Sequence, residues 1–181
     1  GKHGVIQVTG AQRVPGAGTA VDLACASSTP HLLEAILDGG VDVNARVGGD
    51  TPILFRAAHE GSPDNVAMLL RRGVDVNARD SLGTPAITYC LRGMSLDQVD
   101  ELLAHGADAR AVNLRGESFL YVLHTLMQRQ EEGSPAHRKM ASIANRYRWE
   151  GAAWPPDAPE VERERLRAKG VAPVVPAGAA R

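Results

Sequence analysis

Gly40-Val41-Asp42-Val43-Asn44-Ala45-Arg46 returns as Gly73-Val74-Asp75-Val76-Asn77-Ala78-Arg79, and then, thinned, as Gly106-Ala107-Asp108-Ala109-Arg110. Each copy lies 33 residues after the last. A second marker keeps the same interval: Thr51-Pro52 returns as Thr84-Pro85, and Gly83-Thr84 returns as Gly116-Glu117. Two independent markers held in register at one period imply stacked supersecondary units, none of which can bury its apolar face alone.

The chemistry of the repeated stretch reads as helix punctuation. Gly40, Gly73 and Gly106 follow Leu-rich segments by two or three residues, where a helix end wants a left-handed residue. Asp and Asn in the loop can bond nearby backbone N–H groups and hold a tight turn. Pro52 and Pro85 are expected in the first turn of a helix, where a missing N–H costs nothing. Thr51 and Thr84 before them are expected to cap that helix. Val66, Leu69 and Leu70 fall at i, i+3, i+4, one apolar stripe of a second helix.

These pieces resemble the ankyrin repeat, a hairpin turn followed by two antiparallel helices and a Gly-Ala-Asp-Val-Asn-Ala loop. The helix starts that match are Gly18-Thr19-Ala20-Val21-Asp22-Leu23-Ala24-Cys25, Asp50-Thr51-Pro52-Ile53-Leu54-Phe55-Arg56-Ala57-Ala58 and Gly83-Thr84-Pro85-Ala86-Ile87-Thr88-Tyr89-Cys90. The second helices carry Leu32-Leu33-Glu34-Ala35-Ile36-Leu37, Val66-Ala67-Met68-Leu69-Leu70 and Val99-Asp100-Glu101-Leu102-Leu103. The family's His after Thr-Pro-Leu is absent; Asp22, Leu54 and Ile87 stand there. The resemblance implies an all-α solenoid of three to four repeats with a diverged C-terminal helical cap. Its expected divisions are an N-terminal extension at 1–17 and a repeat domain at 18–151, cut as 18–46, 47–79, 80–111 and a cap at 112–151. A linker, charged helix and tail complete the chain at 152–181.

Composition fits such a stack. The chain of 181 residues is 44% hydrophobic but 4% aromatic, so its core is aliphatic and Ala-rich, as thin, closely packed helix pairs require. Lys+Arg 20 against Asp+Glu 21 gives a net charge of −1, which argues against a nucleic-acid binder that depends on a broad basic surface. No run approaches the roughly 20 apolar residues of a membrane span. The Ala, Gly and Arg content points to a GC-rich bacterial source. The expected compartment is the cytoplasm. Because the chain begins at Gly1 rather than Met, a periplasmic or secreted product after signal removal, or a fragment of a larger protein, remains an alternative.

Cys25 and Cys90 each stand six residues after a repeat-start Thr. Two repeats of stacked helices at ~8–10 Å each separate them by far more than the ~7 Å a disulfide tolerates between Cα atoms. Both are expected to be small buried hydrophobes with free thiols.

At the chain ends, residues 1–17 are Gly-rich, with a short alternation at Val5-Ile6-Gln7-Val8 that suits a strand, an edge extension or a tail. A helix is expected from Ser118 to about Gln130 and another, after Gly133-Ser134-Pro135, through Met140, Ile143 and Ala144 to Tyr147, with Trp149 and Trp154 sealing the outer face of this cap. Glu160 to Lys169 runs from acidic to basic, which suits a helix dipole and i,i+3 ion pairs. It reads as a solvated helix or, alternatively, as a partner-binding arm.

Catalytic patterns are missing. The six histidines (His3, His31, His59, His105, His124, His137) are scattered without a His-Glu-x-x-His spacing, and the two cysteines lack metal-ligand spacing. Gly16-Ala17-Gly18 has no phosphate-binding Lys behind it. No enzyme activity, metal or cofactor is expected. The ankyrin resemblance instead implies a protein-binding surface on the concave side, made by hairpin tips and the outward face of each first helix. The residues it puts there are Arg46, Val47 and Asp50, then Arg79, Ser81 and Leu82, then Asn113 and Arg115, with Arg56, His59, Tyr89 and Arg92 from first-helix ends. The expected function is a non-enzymatic binding module for a protein partner, monomeric when free, possible roles being a toxin-neutralising immunity protein or an effector. A regulatory or targeting fragment of a larger protein is the other reading.

Overall fold

The computed structural model describes residues 17–48, 50–60 and 63–177. The expected N-terminal extension, with its Val5–Val8 alternation, lies outside the described residues apart from Ala17. Among the described residues the architecture is all-α, with nine helices and one two-stranded ribbon. The chain divides into two compact units, residues 1–78 and 79–181.

In the first unit, α1 (Ala17–Ala26) and α2 (Pro30–Asp38) form one helix pair, and α3 (Ile53–Glu60) and α4 (Pro63–Arg71) form the next. Between them runs the antiparallel ribbon β1 (Arg46–Val47) and β2 (Thr51–Pro52). First helix packs on first helix, α1 on α3, and second on second, α2 on α4. The seam is filled by Val21, Ala24, Cys25, Leu33, Ile53, Leu54, Ala57, Val66 and Leu69, all buried. Ala24 and Ala57 let the first helices approach closely; the second helices contribute the larger Leu side chains.

The second unit repeats the scheme with α5 (Ala86–Arg92) and α6 (Leu96–Ala104), then α7 (Phe119–Met127) and α8 (Pro135–Trp149), and adds α9 (Pro159–Ala168). Here α5 packs on α7 and α6 on α8. Ile87, Leu91, Val99, Leu102, Phe119, Leu123 and Met140 are buried between them.

The 33-residue interval governs backbone geometry as well as sequence. Arg46 pairs with Pro52, Arg79 with Pro85, and Val112 with Ser118, each antiparallel and each 33 residues after the last. The helix ends repeat too: Gly40, Gly73 and Gly106 have φ of 97°, 76° and 87°. Behind each, the next amide reaches five residues back, Val41 to Ile36, Val74 to Leu69 and Ala107 to Leu102, which satisfies carbonyls that the helix end would orphan. Asp42, Asp75 and Asp108 each accept the amide two residues on, at 2.8, 2.9 and 2.9 Å. Asn44 carries the turn forward within the first unit: its Oδ1 accepts the Asp75 N–H at 2.7 Å.

Three local expectations differ from the structure. Thr51-Pro52 belongs to β2, and Pro85 sits one residue before α5 with extended ψ of 157°, so neither proline opens a helix from inside. Thr84 does not cap α5 but is buried, its amide donating to Asp80 Oδ1 at 2.8 Å. The hairpin's demand for a paired return strand outweighs the helix-start preference of Thr-Pro. The capping chemistry appears instead in the last pair, where Ser118 Oγ accepts the Tyr121 N–H and Ser134 Oγ the His137 N–H, both at 3.1 Å. The expectation for Trp149 also fails: it is 91% exposed. The buried stripe of α8 is Met140, Ile143, Ala144 and Tyr147, and a residue two past Tyr147 points about 200° away around the helix. Trp154 is half-buried, its ring edge-on to His124 at 5.1 Å.

Backbone strain marks a further point. Met94, just past α5, has φ of 59°, a left-handed conformation that costs an L side chain about 1–2 kcal/mol. Its side chain is exposed, so little packing is at stake. Met94→Gly is expected to raise unfolding free energy by about 0.5–1 kcal/mol once glycine's greater backbone entropy is subtracted. A denaturant midpoint that stays put or falls would contradict this reading of the turn.

Candidate functional site

The hairpin tips keep one frame and vary in content. At the second hairpin, Asp80 Oδ1 accepts the amides of Leu82 and Thr84 at 2.9 and 2.8 Å. Thirty-three residues on, Asn113 Oδ1 accepts those of Arg115 and Glu117 at 2.9 and 3.0 Å. The same side-chain oxygen thus closes both turns, and Gly83 and Gly116 supply the positive φ of 74° and 80° that the turns need. In the first hairpin the equivalent φ of 76° falls on Asp50, which is tolerated because Arg46 holds its carbonyl at 2.8 Å and its carboxylate at 3.5 Å.

First-helix side chains join these tips through specific pairs. Tyr89 donates its hydroxyl to Asp80 Oδ2 at 2.8 Å; partial burial, then this bond, raise its pKa. Arg92 pairs with Glu117 at 2.8 Å. Asn113 Nδ2 donates to Thr84 Oγ1 at 3.2 Å and Glu117 Oε2 at 3.1 Å, which links the second and third hairpins. In the first unit, Arg56 Nε donates to Asp22 at 2.9 Å, at the position where the family's His would stand. Gly48 lies against that carboxylate, where an added Cβ would come within 3.1 Å of Asp22 Oδ2.

The structure sorts the expected contact residues accordingly. Arg46, Asp50 and His59 are exposed in the first unit, with Arg56 half-buried against Asp22. In the second unit Ser81 and Arg92 are exposed, and Arg79, Leu82, Tyr89 and Arg115 are half-buried. Arg79 reaches the carbonyls of Gly83 and Val112, both at 3.4 Å. Two expected contact residues present no surface: Val47 is 4% exposed and Asn113 is 2% exposed. Val47 fills space under its hairpin, and the Asn113 amide is spent on the turn. Asp22, Asp80 and Glu117 were not singled out by sequence. Asp80 and Asn113 share the 33-residue interval, and that was the available signal. Asp22 had one too, a carboxylate at a normally buried position, which needs a partner cation.

Chemically, the site offers arginines, a tyrosine hydroxyl and apolar tips held in fixed geometry. Among the described residues no group of three His, Cys, Asp or Glu side chains could hold a metal ion. Among the described residues, no helix is long and apolar enough to cross a membrane.

The two cysteines take no part in this surface. Cys25 and Cys90 are buried and unpaired, and burial pushes each thiol from 9.0 up to about 12. Each stays protonated in the folded chain where an unfolded one would ionise, so its contribution to stability is full below about pH 9 and declines as pH rises toward 12. A thiol reagent at pH 8 is expected to modify the native chain at least ~100-fold more slowly than the denatured one. Equal rates would contradict the burial.

A comparison with known proteins matches the family model described as Ankyrin repeat to residues 48–81, from Gly48 of the first hairpin through α3 and α4 to the next tip. A comparison with curated proteins finds no match. Residues 48–81 thus match an ankyrin repeat directly, and the hairpin register of this repeat recurs at 33-residue steps at Arg79/Pro85 and Val112/Ser118.

Proposed function

We propose that the chain works as a non-enzymatic protein-interaction module, reading a protein partner through the hairpin tips and first-helix ends of its units. Ankyrin repeats in general mediate protein–protein binding, and the observation that supports this surface is the constant frame with variable tips. Arg46/Pro52, Arg79/Pro85 and Val112/Ser118 hold one register, while the tips read Arg46-Val47-Gly48, Arg79-Asp80-Ser81-Leu82 and Val112-Asn113-Leu114-Arg115. A scaffold that fixes its loops and varies their side chains is the physical basis of a recognition surface. Tyr89 on Asp80 and Arg92 on Glu117 are already oriented, so binding loses little side-chain entropy there. Tyr and Arg are also the residue types that dominate binding energy. A bacterial toxin-neutralising or effector role is one form of this function, and co-expression with the captured partner tests it by rescue of growth.

A photo-crosslinking amino acid at Ser81 or Arg92 is expected to trap the partner in cell extract. The same group at Arg71 or Glu101, on the second helices, is expected to trap nothing specific. The reverse pattern would remove the hairpin side as the binding surface.

A further inference from the structure

Leu114 sits at the tip of the hairpin before α7, and its backbone is used twice. Its N–H donates to the Leu82 carbonyl of the preceding hairpin at 2.8 Å. Its carbonyl accepts the N–H of Val174, sixty residues further along, at 2.7 Å. The bond that links one hairpin tip to the next is thus made a second time, with the C-terminal segment in the place of a further hairpin. Two other contacts fix that segment. Arg163 of α9 is 4% exposed; its Nη1 donates to the Arg115 carbonyl at 2.9 Å and its Nη2 to Glu160 at 2.7 Å. Gly116 has the Pro159 carbonyl oxygen pressed against it, so that any Cβ there would collide with backbone. A side chain other than hydrogen at residue 116 and the docking of α9 are mutually exclusive.

We propose that this edge, made by the Leu114 and Arg115 carbonyls and the bare face of Gly116, is an exchangeable docking site for an arginine-bearing helix followed by a non-helical tail. In this chain it is filled in cis by residues 159–174. The site shares the Leu114–Arg115 tip with the recognition surface above but uses its backbone carbonyls, and it needs none of that surface's side chains to act. What recognises the occupant is backbone and charge: two outward carbonyls, one for an amide and one for a guanidinium, beside a glycine that admits close approach. A guanidinium suits the second carbonyl because its fixed fork sends one nitrogen to that carbonyl and the other to Glu160. A protein partner with a short Arg-bearing helix and a tail like residues 171–174 competes with α9 for the same edge.

The test uses the full chain and a fluorescent peptide with the sequence of residues 157–176. In the unaltered chain the cis segment occupies the edge, and the peptide binds weakly, because only the open fraction is competent. Arg163→Ala frees the edge and is expected to strengthen peptide binding at least ~10-fold. Hydrogen exchange at the Val174 amide should accelerate by a similar factor while amides of α7 keep their rates. Gly116→Ala should also speed Val174 exchange, yet abolish peptide binding in either background. The proposal is overturned if Val174 exchanges in the unaltered chain at the rate of an unfolded segment. It is equally overturned if Arg163→Ala frees Val174 but leaves peptide affinity unchanged, or if Gly116→Ala leaves binding intact.

Discussion

Leu69→Ala is expected to lower unfolding free energy by ~2–5 kcal/mol. Leu69 is 0% exposed and lies on α4, which packs on both α2 and α3 in the first unit. It belongs to the stripe of Val66, Leu69 and Leu70, so its removal opens a cavity at the seam of two repeats rather than at a collapsible margin. The control is Arg71→Ala on the same helix, exposed and expected to change stability by less than ~0.5 kcal/mol. A Leu69→Ala loss no larger than that of the control, measured in denaturant melts, would mean that the second helices do not form the seam.

Asn65→Ala carries the other large effect, for a polar reason. Asn65 is fully buried at the start of α4, and its Nδ2 donates to the carbonyls of Ala24, Cys25 and Ser27 at 3.4, 3.0 and 2.8 Å. The Ala24 carbonyl also accepts the Ser27 N–H at 3.2 Å, whereas those of Cys25 and Ser27 lie at the end of α1 with no further turn of helix to receive them. One side-chain amide therefore ties the second repeat to the helix end of the first. Removing it takes the side-chain donor from the Cys25 and Ser27 carbonyls, at a cost of ~1–3 kcal/mol. Asn65→Asp keeps the shape but replaces the donor with an acceptor, and it is expected to cost at least as much at neutral pH. If both variants melt with the unaltered chain, the carbonyls of α1 are satisfied by other groups.

Much of this arrangement is legible in the sequence because repetition amplifies weak signals. A single Gly after a Leu-rich stretch means little. Gly40, Gly73 and Gly106 at one interval fix three helix ends, and their positive φ values follow from that. The Asp turns at 42, 75 and 108 were readable for the same reason. Thr-Pro misled because local propensity was weighed without the hairpin across from it: Pro52 and Pro85 are held by pairing with Arg46 and Arg79. Trp149 misled because large aromatics were assumed to go inside, although the helical phase set by Tyr147 turns it outward. The burial of Arg163 was not legible at all. Its i−3 pairing with Glu160 is the signature of a solvated helix, and what buries it is a backbone carbonyl 48 residues away. The expected contact residues were assigned from the sequence to the hairpins and first-helix ends. Which of them are exposed depended on turn chemistry, which buries Val47 and Asn113 and leaves Tyr89 half-buried and Arg92 exposed.

The most direct measurement of the central claim is calorimetric titration of the crosslinked partner, once purified, against matched alanine variants. Arg46→Ala samples the hairpin of the first unit, and Leu82→Ala, Tyr89→Ala and Arg92→Ala sample the hairpin and first helix of the second; Arg71→Ala and Glu101→Ala sample the second helices. Hot-spot truncations weaken binding by ~2 kcal/mol or more, roughly thirtyfold in Kd, whereas peripheral ones cost far less. The account predicts losses of that size at Tyr89 and Arg92, smaller losses at Arg46 and Leu82, and unchanged affinity for both second-helix variants, with thermal melts of all six variants close to the unaltered chain. Full affinity in the four hairpin-side variants, with loss at Arg71 or Glu101, would contradict it.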